Sequence, residues 1–537
     1  MRAKLLERPN DILTDLLVMD TWSALREFQA RSIATTGNRD SLLEKEFIKE
    51  FLIQVPMPSV FECLQEASQK GSTNEVKLVC HCLERIFRSE VGPEILFQES
   101  MLPFIVAGIS HDEVAAKALT LDMLDVHLTA QYHASMDHDI LLHAICDCLL
   151  DEDAAIARRA SSILLKLVSV PDTGVYHKVL LRLRDLVADY LSRPSRENSV
   201  EFVRLLELIS RCAGVSDAVM RESIALGLVE PILDGIESSD ALFQLNVLDI
   251  IPNLCTTQAG LLHLFHSDLL AHLVACATNP LVGGNALRLI GTFSTLAVAQ
   301  RVESWNWTDG ALAKAFLAAV ESSFQVGDSQ QQIAAMDAIA AFGSASDKEL
   351  GLLLAHRSLC DAWLSLGKSA LLEAKSACFI SLATILTRGT RLSTRPNDVL
   401  ADENATLWTF HRRLFHALGG SCGRPSTMHH LMDCLRQPFE PIRVGVYSLL
   451  QTVAAQGHPW GLEALHAYGG FIEFLGDRST EPTKITREWK FAILDAILAS
   501  KFQHVFGVRA VDELTKAFEQ GPYAGRAQHA EPMLDAN

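Results

Sequence analysis

The residues of this chain best suited to chemistry are its histidines. His263 and His266 stand three positions apart in a helical stretch, so both rings lie on one face of a helix and offer two metal ligands. No carboxylate or thiol stands one helical turn further on to complete a ligand set, although Asp268 is close. A pair of surface histidines is the simpler interpretation, and contact with a partner is the next. The sequence therefore predicts no metal site here.

The 12 cysteines are scattered along the chain and form no CxxC motif. Two pairs, Cys80 with Cys82 and Cys146 with Cys148, stand two residues apart. Side chains at that spacing point to different faces of a helix, so neither pair makes a metal clip. We expect nearly all of the cysteines to be buried, reduced thiols.

No motif of a known catalytic chemistry is present. The chain lacks a GxxxxGK[ST] phosphate loop, a dinucleotide-binding glycine fingerprint and an HExxH zinc motif. Residues 420–423, GSCG, do not form the GxSxG turn of a hydrolase and are typical of glycines that end a helix. The sequence predicts that the protein is not an enzyme and uses no cofactor.

Two tryptophans, Trp305 and Trp307, lie close together in the polar stretch SWNWTDG. At this spacing they cannot both face one core. Packing beneath a loop is the simpler interpretation. Anchoring of a partner is the alternative, because tryptophan is enriched at interface hot spots.

The elements that must position these residues are amphipathic helices that recur along the chain. In residues 151–170, apolar side chains from Ile156 to Leu167 stand at i, i+4, i+7, i+8 and i+11, which is one helical stripe. Acidic residues at 151–153 favour a helix start, and Pro171 favours its end. The same stripe returns elsewhere, and its second position marks each copy. The markers are Ala118, Ala160, Phe202, Val247, Ala286, Met336, Cys378, Val446 and Trp489.

The markers are separated by 42, 42, 45, 39, 50, 42, 68 and 43 residues. A helical period of roughly 40–47 residues is typical of HEAT and armadillo repeats. We expect the interval of 68 residues between Cys378 and Val446 to contain one degenerate repeat and a loop. Because a repeat cannot bury its stripe without neighbours, the predicted fold is an all-α, armadillo/HEAT-like solenoid. We expect a right-handed superhelix that forms a single elongated domain.

A second apolar element follows the marker helices, with a small residue or glycine in its middle. Examples are residues 92–109, 218–236, 259–277 and 461–477. This pattern is typical of the inner helix of an armadillo unit, and we expect these elements to line the concave face.

These patterns predict that the chain has three parts: an N-terminal cap, the repeats and a C-terminal tail. Residues 1–70 are helical but out of register with the repeats, as expected of an N-terminal cap. Residues 71–520 are predicted to form the repeats. Residues 521–537 are small and polar, and we expect a disordered tail there.

Net charge and hydropathy indicate which classes of partner the protein can bind and in which cellular compartment it is expected. The net charge of −18 argues against nucleic acid, which needs a basic track, and suits a partner with a basic face. No segment approaches the ~20 uninterrupted apolar residues of a membrane helix. The first residues carry charges and a proline where a signal peptide needs an apolar run. We expect a cytoplasmic protein with no membrane contact, with nuclear access left open.

Four motifs in the C-terminal third resemble those of a known family. They are PIRV at 441–444, GGFIEFLGDRSTEPTK at 469–484, EWKF at 488–491 and GPY at 521–523. They resemble the family of 26S proteasome non-ATPase regulatory subunit 5, in which a GF.E.L.DRSTE..K segment precedes an EWK helix and a GPY turn. The close match covers residues 441–523, and the middle repeats match in pattern alone.

The resemblance implies a chaperone for assembly of the proteasome base. Members of this family bind the C-terminal domain of one AAA ATPase, regulatory subunit 7, in an intermediate with a neighbouring ATPase and a large non-ATPase scaffold subunit. They leave before the regulatory particle is complete. We expect a monomer when the protein is free. The predicted partner contacts are Arg221, Glu222, His263 and His266 on second helices, with Trp305 and Trp307 as an alternative edge site.

Two other functions stay open at this point. Another armadillo-type scaffold or adaptor would hold a peptide or protein in its groove, and a ladder of Trp and Asn on successive inner helices would support it. The tryptophans here are irregularly spaced. An enzyme is the second alternative, and ATP turnover by the purified chain would support it.

Overall fold

The computed structural model describes residues 21–32, 41–127, 139–170, 174–192, 199–302, 310–325, 328–391 and 405–523. Throughout these ranges the regular secondary structure is helical, which confirms the predicted all-α repeat fold. Contacts divide the chain into two compact units, Met1–Ile232 and Leu233–Asn537. The predicted boundaries of the cap, repeats and tail stay predictions, as do the superhelix hand and the single elongated domain.

The first unit is a stack of helices in two layers. Its helices are α1 (21–32), α2 (Ser41–Gln54), α3 (Met57–Gln69), α4 (Thr73–Phe87), α5 (Gly92–Leu96), α6 (Leu102–Ile109), α7 (Val114–His127), α8 (Asp139–Asp147), α9 (Ala154–Ser169), α10 (Val175–Leu191), α11 (Val200–Ala213), α12 (Asp217–Ala225) and the start of α13 (Glu230–Asp234). One layer stacks α4, α7, α9 and α11 in that order, and these include the predicted marker helices. The other layer stacks α6, α8, α10 and α12.

Helix α9 forms as its sequence predicts. Its start is capped by Asp153, whose carboxylate accepts a hydrogen bond of 2.7 Å from the Ala155 amide. The stripe from Ile156 to Leu167 is buried. Two ion pairs join this helix to α7, from Arg159 to Asp122 at 2.5 Å and from Lys166 to Asp125 at 2.9 Å. Apolar burial and flanking charges therefore fix the same register between the two marker helices.

The second unit continues the same two-layer plan. Its helices are α14 (Ala241–Leu254), α15 (Gln258–His266), α16 (Leu269–Cys276), α17 (Gly283–Ala299), α18 (Ala311–Gln325), α19 (Ser329–Ala345), α20 (Asp347–Ala355), α21 (Arg357–Ser365), α22 (Leu372–Arg391), α23 (Ala405–Ser421), α24 (Thr427–Leu435), α25 (Glu440–Ala454), α26 (Trp460–His466), α27 (Phe471–Gly476), α28 (Lys484–Ala499) and α29 (Val508–Glu519). Here the marker helices α14, α17, α19, α22, α25 and α28 stack in chain order.

Close approach of backbones holds this marker layer together. A Cβ atom at Gly291 of α17 would lie 2.3 Å from the carbonyl oxygen of Ala338 in α19. A Cβ atom at Gly445 of α25 would lie 3.0 Å from the Ser376 carbonyl oxygen in α22. Glycine and alanine at these positions let neighbouring helices pack with little side chain between them.

The prediction of a degenerate repeat between Cys378 and Val446 is wrong. Helix α22 packs directly on α25, so no marker helix lies between them in the described residues. The additional length forms α23, a helix of 17 residues, and α24, which pack beside the marker layer. Residues 392–404 of this interval lie outside the described residues.

The second elements are pairs of short helices, where we expected a single inner helix. Residues 218–236 break at Gly227 and residues 461–477 break at Gly470, whose φ values of +70° and +89° suit glycine. The small residues in the middle of these elements are therefore helix breaks.

The cysteines are buried as predicted. All 12 thiols are free, and Cys80 and Cys276 are half-buried while the others are buried. Burial raises the pKa of most of them, for example that of Cys212 to about 12, which keeps the unreactive thiol form.

No single described helix is long and apolar enough to cross a membrane. Helices α15 and α16 together have the length and composition of a span, but they are bent by 71°.

A buried histidine ties three helices of the second unit together. His411 of α23 is fully buried, and its Nδ1 donates to Oε1 of Gln456 at 3.2 Å. The Gln456 amide donates in turn to the carbonyls of Leu386 and Thr452, both at 2.9 Å. His411 Nε2 makes no hydrogen bond to the described residues. Burial lowers the pKa of His411 from 6.5 to about 4.

Gly291→Ala should destabilise the protein, because the new methyl group would meet the Ala338 backbone. We expect a loss of about 1–3 kcal/mol in the free energy of unfolding, measured in urea. Gly420→Ala is the matched control, since a Cβ there meets nothing within 4 Å. An equal loss in both variants would contradict close packing at Gly291.

Acid should weaken the fold through His411. Because its folded pKa of about 4 lies below 6.5, the unfolded chain binds more protons between these values. Stability is therefore full above pH 6.5 and falls as the pH drops towards 4. His411→Gln should reduce the loss between neutral pH and pH 5 by about 2 kcal/mol, measured by urea unfolding at each pH. Parallel curves for the two proteins would contradict this account.

Candidate functional site

The two predicted contact residues of α12 lie in the first unit and differ in availability. The Arg221 side chain is exposed and lies 3.8 Å from Asp217 on its own helix. Glu222 is paired with His177 of α10. Glu222 therefore helps to join two second-layer helices, while Arg221 pairs within its own helix, and contact of either residue with a partner stays a prediction.

The other predicted contacts concern the second unit. His266 is exposed, and its Nδ1 donates to the Leu262 carbonyl oxygen at 2.6 Å. His263 is half-buried on the same helix, α15. Trp305 and Trp307 lie outside the described residues, so their role stays a prediction. No group of three or more His, Cys, Asp or Glu side chains in the described ranges is placed to hold a metal ion.

The C-terminal motifs build a buried polar network between α25 and α28. Glu481 is buried, and its carboxylate accepts hydrogen bonds from Nε of Arg443 at 3.2 Å and from the Tyr447 hydroxyl. The Arg443 guanidinium also donates to the Thr480 carbonyl at 3.0 Å. Burial, followed by the hydrogen bond to Glu481, raises the pKa of Tyr447 and keeps it protonated. These hydrogen bonds offset the cost of burying the Arg443–Glu481 ion pair.

A lysine binds the other side of the turn at residues 477–481, DRSTE. Lys490 of α28 donates to the Asp477 carbonyl at 2.5 Å and to the Thr480 hydroxyl at 2.8 Å. Its Nζ also lies 3.9 Å from the ring centre of Phe474. Burial lowers the pKa of Lys490 from 10.5 to about 8. The DRSTE turn is therefore held by α25 on one side and by α28 on the other.

Residues 466–473, which precede the DRSTE turn in the chain, form one wall of an open cleft. The cleft has a volume of about 480 Å³ and lies between residues 466–473 and residues 506–513, which include the first turns of α29. A Cβ atom at Gly469 or Gly470 would meet nothing within 4 Å, so the backbone is bare there. The lining residues are His466, Tyr468, Gly469, Gly470, Phe471, Ile472, Glu473, Phe506, Arg509, Ala510 and Glu513.

The chemistry of the cleft suits binding. Its base contains the buried rings of Phe471 and Phe506, and the exposed His466 ring lies 5.3 Å from the ring of Phe506. Its rim is charged, and Nε of Arg509 lies 3.2 Å from Glu513. An apolar base with a mixed-charge rim fits a peptide segment or protein loop. The sequence-based reasoning missed this site, although the Gly469-Gly470 pair was a visible signal of exposed backbone.

Arg443→Met should be strongly destabilising, because it leaves the Glu481 carboxylate buried without its cation. We expect a loss of about 3–5 kcal/mol in the free energy of unfolding. The double variant Arg443→Met/Glu481→Leu removes both charges and should recover part of that loss. Arg509→Met, which breaks an exposed pair, serves as the control and should leave stability unchanged. A small effect of Arg443→Met would mean that the network does not hold the turn.

Comparison with known proteins identifies relatives along nearly the whole chain. A family model described as proteasome non-ATPase 26S subunit matches residues 33–533. The 26S proteasome non-ATPase regulatory subunit 5 of Mus musculus is 22% identical over 489 residues, which cover 89% of this chain and 90% of the relative. The Homo sapiens protein of that name is 21% identical over 429 residues, covering 78% of this chain and 79% of the relative.

Solved structures give weaker similarities. An engineered protein aligns with a TM-score of 0.38 and 14% identity over 86% of this chain and 98% of its own. A designed armadillo repeat protein aligns with a TM-score of 0.30 and 12% identity, covering 54% of this chain and 98% of its own.

The family model spans most of the sequence and includes both the buried network and the cleft. Its relatives share a single name that refers to the proteasome. The chain therefore belongs to the proteasome non-ATPase 26S subunit family and has a proteasome-related role.

Proposed function

We propose that this protein is a non-catalytic chaperone for assembly of the base of the 26S proteasome regulatory particle. The observation that carries the proposal is the family match over residues 33–533. The relatives that align along the chain are named non-ATPase regulatory subunits, which supports a binding role without catalysis of its own. The proposed place of action is the cytoplasm, with nuclear access left open.

The partner in this proposal is the C-terminal domain of the AAA ATPase named regulatory subunit 7. The complex would also contain a neighbouring ATPase and a large non-ATPase scaffold subunit. The net charge of −18 supports a partner that presents a basic surface. A stack of helices offers a long, preformed binding surface, so little ordering is needed when a folded domain docks.

Release before the particle is complete requires a reversible interface. The cleft beside α29 fits this need, because its rim of Glu473, Arg509 and Glu513 is charged and its base is apolar. Charged rims are screened by water and salt, so they guide docking and contribute little to tight binding. A competing surface in the growing particle would then displace the chaperone.

The first test is capture of the isolated C-terminal domains of the six proteasomal ATPases, each offered separately to the immobilised full chain without nucleotide. We expect selective capture of the regulatory subunit 7 domain. Capture of none of the domains, with binding of unstructured peptides instead, would contradict the chaperone and favour a groove-type adaptor.

Glu473→Arg should weaken capture of the regulatory subunit 7 domain about tenfold, because it places a positive charge on the cleft rim opposite a basic partner surface. Glu519→Arg is the matched control, since it makes the same charge change on exposed α29 surface away from the cleft lining. Binding curves from fluorescence anisotropy give the dissociation constants. If both variants weaken binding equally, the effect is one of overall charge and the cleft is not the contact.

A further inference from the structure

Large apolar side chains are exposed at the starts of the marker helices in the second unit. Leu242, Leu281, Leu371, Phe439 and Ile485 are 72, 68, 47, 43 and 47% exposed. Each lies within two residues of the first residue of α14, α17, α22, α25 or α28. Single exposed apolar residues need no explanation, but their recurrence around the start of five marker helices does. We name these five residues the apolar edge.

Local hydrogen bonds fix the backbone at these positions. The Leu242 amide donates to the Asp240 carboxylate at 2.9 Å, and the Leu281 amide donates to Oδ1 of Asn279 at 2.9 Å. The Leu371 amide donates to the Ser369 hydroxyl at 3.1 Å. These turns order the backbone where the chain enters each of the three helices.

The marker helices run parallel, so their first turns share one edge of the unit. Near the starts of α22 and α25, the Ser376 hydroxyl donates to the Pro441 carbonyl at 2.7 Å. Near their ends, the Gln456 amide donates to the Leu386 carbonyl at 2.9 Å. Packed helices lie about 8–10 Å apart, so members of the apolar edge on adjacent marker helices have roughly that spacing. Helix α19 interrupts the row with Gln330.

Acidic residues flank the part of the row from Leu242 to Leu371. Glu237, Asp240, Asp328 and Glu373 lie at the same helix entries and are exposed, and Lys368 is the exposed base among them. The local charge is therefore negative, in line with the chain as a whole. A second copy of this chain, with its net charge of −18, is a poor match to this surface.

We propose that the apolar edge binds an amphipathic helix of another protein, with apolar residues seven positions apart and basic residues beside them. Seven residues of an α-helix rise about 10.5 Å, which matches the spacing of the row. An extended strand repeats a side-chain direction about every 6.6 Å and fits the row poorly. Basic flanks on the ligand helix complement the acidic residues. This surface is additional to the site proposed for the ATPase domain.

The test uses the full chain and a labelled synthetic helical peptide of about four heptads. The peptide has leucine at every seventh position and lysine at the neighbouring positions on the same face. A scrambled peptide of the same composition is the ligand control. We expect saturable binding of the helical peptide alone in fluorescence anisotropy. The triple variant Leu242→Ser/Leu281→Ser/Leu371→Ser should bind it at least about tenfold more weakly.

The matched control replaces three exposed apolar residues of the same unit away from the edge, Val298→Ser/Ile380→Ser/Val508→Ser. It should bind the helical peptide as the wild type does. Equal binding of the scrambled peptide, or full binding by the edge variant, would overturn the proposal. A wild-type dimer in sedimentation that the edge variant abolishes would overturn it in favour of a second copy.

The edge variant also separates this proposal from the chaperone function. We expect it to capture the regulatory subunit 7 domain as well as the wild type does. Loss of that capture would assign the edge to the ATPase domain and overturn its role as an additional surface.

Discussion

The close packing of marker helices is the interaction on which the rest of the second unit depends. No marker helix can bury its apolar stripe alone, so each is stable only against its neighbours. At Gly291 the approach is close enough that the backbone of α17 meets that of α19. This packing sets the parallel order of the helices, and the parallel order places their first turns along one edge. The second elements then cover the other side of the layer.

The motifs that carry the family resemblance have two roles in the structure. Glu481 and Arg443 belong to a buried network that fixes a turn, which is a demand of folding. Gly469 and Gly470, a few residues earlier, leave bare backbone at an open cleft, which is suited to binding. A family motif can thus contain both residues that stabilise the fold and residues that lie at a binding surface.

Much of the fold could be predicted because helical periodicity is a local signal. The stripe in α9 and its cap at Asp153 are both as the spacing indicates. The prediction of a degenerate repeat around α23 is wrong, because additional second-element helices and an additional repeat lengthen the interval between markers in the same way. Gly227 and Gly470 were visible as small residues, but that they end helices depends on their backbone angles.

The candidate site was harder to predict because it depends on contacts between distant residues. The pairing of Glu222 with His177 joins two helices 45 residues apart, and no local pattern indicates it. The cleft needs residues 466–473 to meet α29, which follows only from the packed fold. His263 and His266 share a helix as predicted, yet the structure places one half-buried and the other at the surface.

In the proposed function, the protein acts during assembly and leaves before the regulatory particle is complete. The most direct measurement is its stoichiometry, by quantitative mass spectrometry, in purified base precursors and in complete 26S proteasomes from the same cells. The account predicts a near-equimolar amount in precursors that contain regulatory subunit 7 and none in complete particles. An equimolar amount in the complete particle would contradict a chaperone and would make the protein a permanent subunit.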